Sequence, residues 1–153
     1  MPNVYKCKII ENTAIAEGIY SLTFECEEIA AHSQAGQFVH IKCGEKRILR
    51  RPISITSVKK ETVRIVYEVK GEGTGWLSEQ KAGTDLDVLG PLGNGFKIPE
   101  GKIIIVGGGI GAPPMLYVAK SINRTVRSGY HNAAILGFQS KSRIILQNLW
   151  ILE

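Results

Sequence analysis

Apolar and polar residues alternate with a period of two through much of the first 95 positions, the spacing of strands that turn one face to a core. Tyr20, Leu22 and Phe24 share one face of such a stretch, and Ser21 and Thr23 the other. Val63, Ile65, Tyr67 and Val69 repeat the pattern. Further strands are predicted near residues 4–10, 37–43, 49–57 and 85–89, each bounded by Gly, Asn, Lys or Glu clusters. Short strands with glycine and polar turns between them predict a small antiparallel β barrel or sandwich. One short helix is predicted over residues 73–81, with Thr74 as its N-cap and Lys81 near its C-terminal end.

From Gly101 the pattern changes. Lys102-Ile103-Ile104-Ile105-Val106 is an unbroken β-branched run, which predicts a parallel strand covered on both faces. Gly107-Gly108-Gly109-Ile110-Gly111-Ala112 follows, and Pro113 and Pro114 suit a first helical turn, where amide hydrogens lack helical partners. Met115, Val118, Ala119 and Ile122 form an apolar stripe at helical spacing, so a helix of about ten residues is predicted, and then a second buried strand over 133–138. Strand, glycine loop, helix, strand is the first unit of a doubly wound nucleotide fold. The chain thus divides into a β barrel over residues 1–98 and an α/β domain over 99–153. A complete domain of the second kind takes about 100 to 150 residues. About 53 remain after the change of pattern, so an incomplete domain is expected.

Composition narrows the chemistry. With 44% hydrophobic and 22% charged residues among 153, the chain is an ordinary globular one rather than a disordered one. Its net charge of +5 is scattered rather than gathered into a stripe, so a nucleic-acid partner is not expected. No membrane-length apolar run and no leader pattern is visible, and a cytoplasmic protein is expected. Cys7, Cys26 and Cys43 are odd in number and widely spaced; they read as reduced, structural residues, not as a disulfide framework or a metal clip. His32, His40 and His131 show no metal-ligand spacing, and no nucleophile–base set suggests hydrolysis.

Three constellations carry candidate chemistry. In Leu49-Arg50-Arg51-Pro52-Ile53-Ser54-Ile55 a guanidinium can hold a pyrophosphate, a proline fixes the adjoining backbone and a hydroxyl can bond a flavin ring nitrogen. The same residues also fit a strand edge with two solvated arginines. In Val66-Tyr67-Glu68 and Gly71-Glu72-Gly73-Thr74-Gly75, Tyr67 can pack on a ring or ribose and the glycines let backbone approach phosphate; taken alone, the motif fits a core aromatic and a plain turn better. The third, Gly107-Gly108-Gly109-Ile110-Gly111-Ala112-Pro113-Pro114, departs from the G-x-G-x-x-G fingerprint at Pro113. Its place between strand and helix nevertheless points to nucleotide phosphate binding.

In this order, with Gly90-Pro91-Leu92-Gly93-Asn94-Gly95-Phe96 between them and Leu136-Gly137-Phe138 with Ser140-Lys141 after them, the motifs resemble the ferredoxin reductase superfamily. Their wording resembles its dihydroorotate dehydrogenase B electron-transfer subunits over residues 3 to 146. The resemblance implies an antiparallel FAD-binding barrel followed by a nicotinamide-binding α/β domain. It implies that Arg51, Pro52, Ile53 and Ser54 line FAD, with Ser54 near the ring and Ile53 where many reductases carry a tyrosine. Val66, Tyr67 and Glu68 would form a second flavin-contact strand, and Gly73 and Thr74 would bind phosphates. Glu68 departs from relatives that often place arginine there, and a carboxylate repels phosphate. Gly107, Gly108, Gly109 and Gly111 would serve the nicotinamide cofactor, NAD(H).

The family relays electrons from NADH through FAD and a [2Fe–2S] cluster to an FMN-containing catalytic subunit that oxidises dihydroorotate to orotate, within a heterotetramer. A cluster of that kind takes four thiolates. Three cysteines, all in the barrel half, cannot supply them, and either a truncated or frame-shifted copy with impaired relay or a deliberately shortened flavin module is expected. A flavin subunit of a ferredoxin–NADP or sulfide reductase, or a non-catalytic interaction module, are the alternatives. The whole expectation requires the Arg51–Ser54 edge and the Gly73–Thr74 turn to meet around one dinucleotide.

Overall fold

The computed structural model describes residues 2–45, 48–125 and 132–145. Six strands, β1 (Asn3–Ala16), β2 (Ile19–Glu25), β3 (Phe38–Ile41), β4 (Arg51–Lys59), β5 (Thr62–Glu68) and β6 (Asp85–Leu92), close into an antiparallel barrel in the order β1-β2-β5-β4-β3-β6. The period-two pattern explains the core. Leu22 and Phe24 of β2 and Val63, Ile65 and Tyr67 of β5 turn inward together with Ile9, Ile41, Ile55 and Val88, while their neighbours face outward. Each large side chain buried in this way contributes about 1.5–3 kcal/mol.

Two short helices pack against that core. Helix α1 (Glu27–His32), which the periodicity did not predict, begins at Cys26, carries Glu27 and Glu28 in its first turn and buries Ile29 and Ala30. Six residues with two core positions are too few to show a helical period. Helix α2 spans Glu72–Ser78 and buries Leu77. It starts earlier than predicted: Gly71 is the N-cap and Thr74 the third helical residue. The Thr74 hydroxyl reaches back, accepting from the Lys70 and Gly71 amides at 3.0 and 3.3 Å, so the cap is supplied from inside the helix.

Beyond the barrel, β7 (Ile104–Gly108) and β8 (Ala133–Gly137) pair in parallel, with Val106 opposite Ile135. A 3₁₀ turn over Gly109–Gly111 leads into α3 (Ala112–Thr125), longer than the ten residues predicted. Helix α3 covers one face of this pair and packs on β4; its Tyr117 hydroxyl donates to the Ser33 carbonyl at 2.8 Å. The expectation of strands covered on both faces is corrected here. Ile104, Val106 and Ile135 are 57%, 68% and 61% exposed, because among the described residues only α3 lies over the pair. Among the same residues no helix is long and apolar enough to cross a membrane.

Candidate functional site

The first part of the site lies where β4 begins and α2 starts. Arg51 opens β4 and its guanidinium donates to the Leu49 carbonyl at 2.9 Å. It lies directly over Gly73: a Cβ there would sit 2.5 Å from Arg51 Nε and 3.0 Å from Cζ. Arg51 of the first motif and Gly73 of the second are therefore adjacent. Neighbouring Arg50 has a different task. Its Nη2 pairs with Asp87 Oδ1 at 2.7 Å and its Nη1 reaches the His40 and Asp87 carbonyls, tying β4 to β3 and β6.

Along β4 the alternation separates the predicted residues. Pro52 and Ser54 are exposed on the outer face, with Ser54 opposite Phe38 of β3. Ile53 is 7% exposed and belongs to the barrel core. On β5, Tyr67 is 2% exposed, stacks on Tyr20 and donates its hydroxyl to Asn12 Oδ1 at 3.1 Å. Burial pushes that phenol well above its usual pKa. Its side chain is thus a core aromatic, the reading that the residues left open. Val66 points the other way, into an apolar cluster with Ile19, Ala112, Leu116 and Ile145 that joins barrel and α/β unit.

The second part is a cleft of about 640 Å³ between the two units. Ile19, Glu68 and Lys70 line it from the barrel, and Gly108, Gly109, Ile110, Phe138 and Arg143 from the other side. Gly107 lies just behind: a Cβ there would meet Ala112 Cα at 3.1 Å and Leu136 Cδ2 at 3.2 Å, so glycine lets α3 start close against the sheet. Gly108, Gly109 and Gly111 are exposed. Glu68 is not left facing the cleft as a bare carboxylate. Its Oε2 pairs with Lys70 at 3.2 Å and its Oε1 with Arg143 at 3.1 Å, and these partners, Lys70 first, hold its pKa below the usual range. The segment 68–74 links both parts, since the Lys70 amide donates to Thr74.

Cys7, Cys26 and Cys43 are buried and outside any disulfide, and burial pushes the Cys7 and Cys26 thiols up. Their burial does not suit a cluster ligand. Two residues that the sequence did not single out shape the site. Arg143 spans the cleft, and Asn12 donates to the Leu77 and Gln80 carbonyls at 2.9 and 2.8 Å, fixing the end of α2. An asparagine within a strand was a signal for the second; nothing local marked the first.

No family model matches the chain. Curated relatives do. The electron transfer subunit of dihydroorotate dehydrogenase B (NAD(+)) from Shouchella clausii is 40% identical over 147 residues, which is 91% of this chain and 56% of that protein. Its counterpart from Caldanaerobacter subterraneus subsp. tengcongensis is 45% identical over 118 residues, 76% of this chain and 47% of that one. The Streptococcus mutans counterpart is 42% identical over 146 residues, 91% and 55%. The chain spans about half the length of the curated relatives it matches. Among solved structures, an NADH-dependent reduced ferredoxin-NADP oxidoreductase superposes with a TM-score of 0.82 at 30% identity, covering 95% of this chain and 52% of that one. Ferredoxin-NADP+ reductase from Plasmodium falciparum, 19% identical with a TM-score of 0.79 over 97% of this chain and 65% of that one, shares the fold. Over the roughly half of those proteins that it spans, the chain is similar to the electron transfer subunits of dihydroorotate dehydrogenase B, and its fold is that of the ferredoxin reductases.

Proposed function

We propose that this chain binds FAD at the junction of β4 and α2 and takes NAD(H) in the adjoining cleft, as the flavin-bearing part of an electron-transfer subunit for NAD-linked oxidation of dihydroorotate in pyrimidine synthesis. The contact of Arg51 with Gly73 carries this reading: a guanidinium and a side-chain-free backbone occur together, and an exposed serine, Ser54, follows three residues along the same strand. Those groups fit a dinucleotide. Arg51 would neutralise its phosphates, Gly73 and Thr74 would admit them to the backbone, and Pro52 and Ser54 would meet the ring system on the outer face of β4. Ile53 and Tyr67 would support that surface from the barrel core, and Val66 from the apolar cluster between the two units. When bound, FAD accepts a hydride and releases electrons singly.

The glycines at 107–111 would lie along the phosphates of the nicotinamide cofactor, with Gly108 and Gly109 in the same cleft as Glu68. The residues do not fit a [2Fe–2S] cluster, which takes four accessible thiolates, whereas the three cysteines of this chain are buried in the barrel. An FMN-containing catalytic chain is the partner this reading assigns. Buried thiols outside any disulfide also suit a reducing cytoplasm.

Purification tests the proposal directly. A yellow protein with near-stoichiometric flavin that bleaches on addition of NADH is expected. Colourless protein that takes up no added FAD would leave only an interaction module. Loss of flavin in Arg51→Ala or Ser54→Ala, with the circular dichroism spectrum unchanged, assigns the residues; full occupancy in both removes the assignment.

A further inference from the structure

We infer that Glu68 and Arg143 form a strut that sets the width of the cleft, and so positions a nicotinamide dinucleotide that touches both of its walls; the last step rests on the proposed function. Glu68 ends β5, where it lies opposite Ile19 of β2, and Arg143 ends the short turn after β8. Their ion pair at 3.1 Å therefore runs from the barrel to the α/β unit, across residues that line one cleft. Two positions before Glu68 and two after Arg143, Val66 and Ile145 meet in the apolar cluster beneath. The interface thus has an apolar rung and an ionic rung side by side. The apolar rung resists separation without fixing direction, whereas the ion pair fixes a distance between two named atoms. The Glu68 side chain is 18% exposed and that of Arg143 37%, so water screens the pair in part. Lys70, on the Oε2 side, neutralises the same carboxylate but belongs to the barrel, so it bridges nothing.

The consequence is a division of labour within the predicted flavin strand. Glu68 would be a positioning residue, acting through Arg143 on the gap between β5 and the 107–111 loop, rather than a contact to FAD phosphate.

Amide hydrogen exchange on the full flavin-free chain tests the strut without any ligand. In Glu68→Gln and in Arg143→Gln, exchange over residues 107–111 and 137–143 should quicken about fivefold, the size of a partly screened pair. The charge-swapped double, Glu68→Arg with Arg143→Glu, should return towards the wild-type rate. Unchanged exchange in both single variants overturns the inference. Should the swap not fold, about 0.5 M NaCl gives the same information, since the Debye length then falls to about 4 Å. Salt should quicken exchange in these segments of the wild type and leave Glu68→Gln unmoved; equal responses overturn the strut. On FAD-loaded protein, the dissociation constant for NAD+ should rise about fivefold in Glu68→Gln. If exchange quickens but NAD+ affinity holds, the positioning role is wrong. If the wild type binds neither FAD nor NAD+, the functional reading fails while the exchange result still decides the strut.

Discussion

Gly73 has no side chain where Arg51 has its guanidinium: a Cβ at position 73 would lie 2.5 Å from Arg51 Nε. Alanine is the better helix former by about 1 kcal/mol in a helix interior. Gly73→Ala should therefore leave the melting temperature within a few degrees of wild type, while pushing the guanidinium aside. FAD affinity should fall by about tenfold, the value of one charge-assisted hydrogen bond misplaced. Flavin titration by absorbance, beside a thermal melt, separates the two effects. In an Arg51→Ala background the same change should cost almost no further affinity; an undiminished second loss would show that Gly73 acts independently of Arg51.

Arg50 and Arg51 are neighbours with opposite tasks. Arg50 is held by Asp87 at 2.7 Å and by two backbone carbonyls, so Arg50→Ala should act on stability, by about 1 kcal/mol after allowance for the half-exposed Asp87. A melting temperature lower by about 2–4 °C is expected, with flavin occupancy retained. Arg51→Ala should do the reverse. Occupancy lost in both, or in Arg50→Ala alone, would contradict the division drawn from their partners.

The barrel was legible because its signal is local. Tyr20, Leu22 and Phe24 alternate with polar residues in the sequence, and a strand sorts alternating residues onto two faces whatever its partner. The strand order, which places β5 between β2 and β4, depends on contacts between distant segments and is written in no single window. The site divides the same way. Gly73 was visible as a residue that admits close approach, but the group that approaches, Arg51, is 22 positions away in the sequence. Glu68 looked like a misfit beside phosphate because its partner Arg143 lies 75 residues on. Ile53 and Tyr67 carry motif positions and also core positions, and burial rather than motif decided where their side chains point. Thr74 was misplaced as a cap because a threonine hydroxyl can bond backward as readily as forward.

Stability should be flat between about pH 5 and 8 and fall on both sides, for different groups. Glu68 and Asp85 have folded pKa values below their unfolded ones, Glu68 through Lys70 and Arg143, Asp85 through Lys6 and Lys8. Their contribution is present above the ordinary carboxylate range and is lost as pH falls through the lowered values. Cys7 and Tyr67 are raised, chiefly by burial, so the neutral folded form is favoured. That contribution is whole below about pH 8.5, the unfolded thiol value, and declines as pH rises. Urea melts across pH 3 to 10 check both limbs. Glu68→Gln with Asp85→Asn should flatten the acid limb and leave the alkaline one; an unchanged acid limb would exclude these two carboxylates as its source.

Asn12 joins three elements through one side chain. From β1 its Nδ2 donates to the Leu77 and Gln80 carbonyls at the end of α2, and its Oδ1 accepts from the buried Tyr67 hydroxyl of β5 at 3.1 Å. Asn12→Ala removes all three bonds and strands a phenol in the core, which should cost about 2–4 kcal/mol. For a chain of this size that lowers the melting temperature by about 5–12 °C. Tyr67→Phe removes one bond and leaves none of its own atoms unsatisfied, so it should cost about 1 kcal/mol. In the Tyr67→Phe background Asn12→Ala should then be milder than in the wild type, because no hydroxyl is left without a partner. The pair also separates stability from binding. Helix α2 carries Gly73 and Thr74, so Asn12→Ala, which frees the end of that helix, should weaken FAD binding more than Tyr67→Phe does. Equal flavin affinities in the two variants would mean that the Leu77 and Gln80 anchors do not hold the helix in its binding orientation.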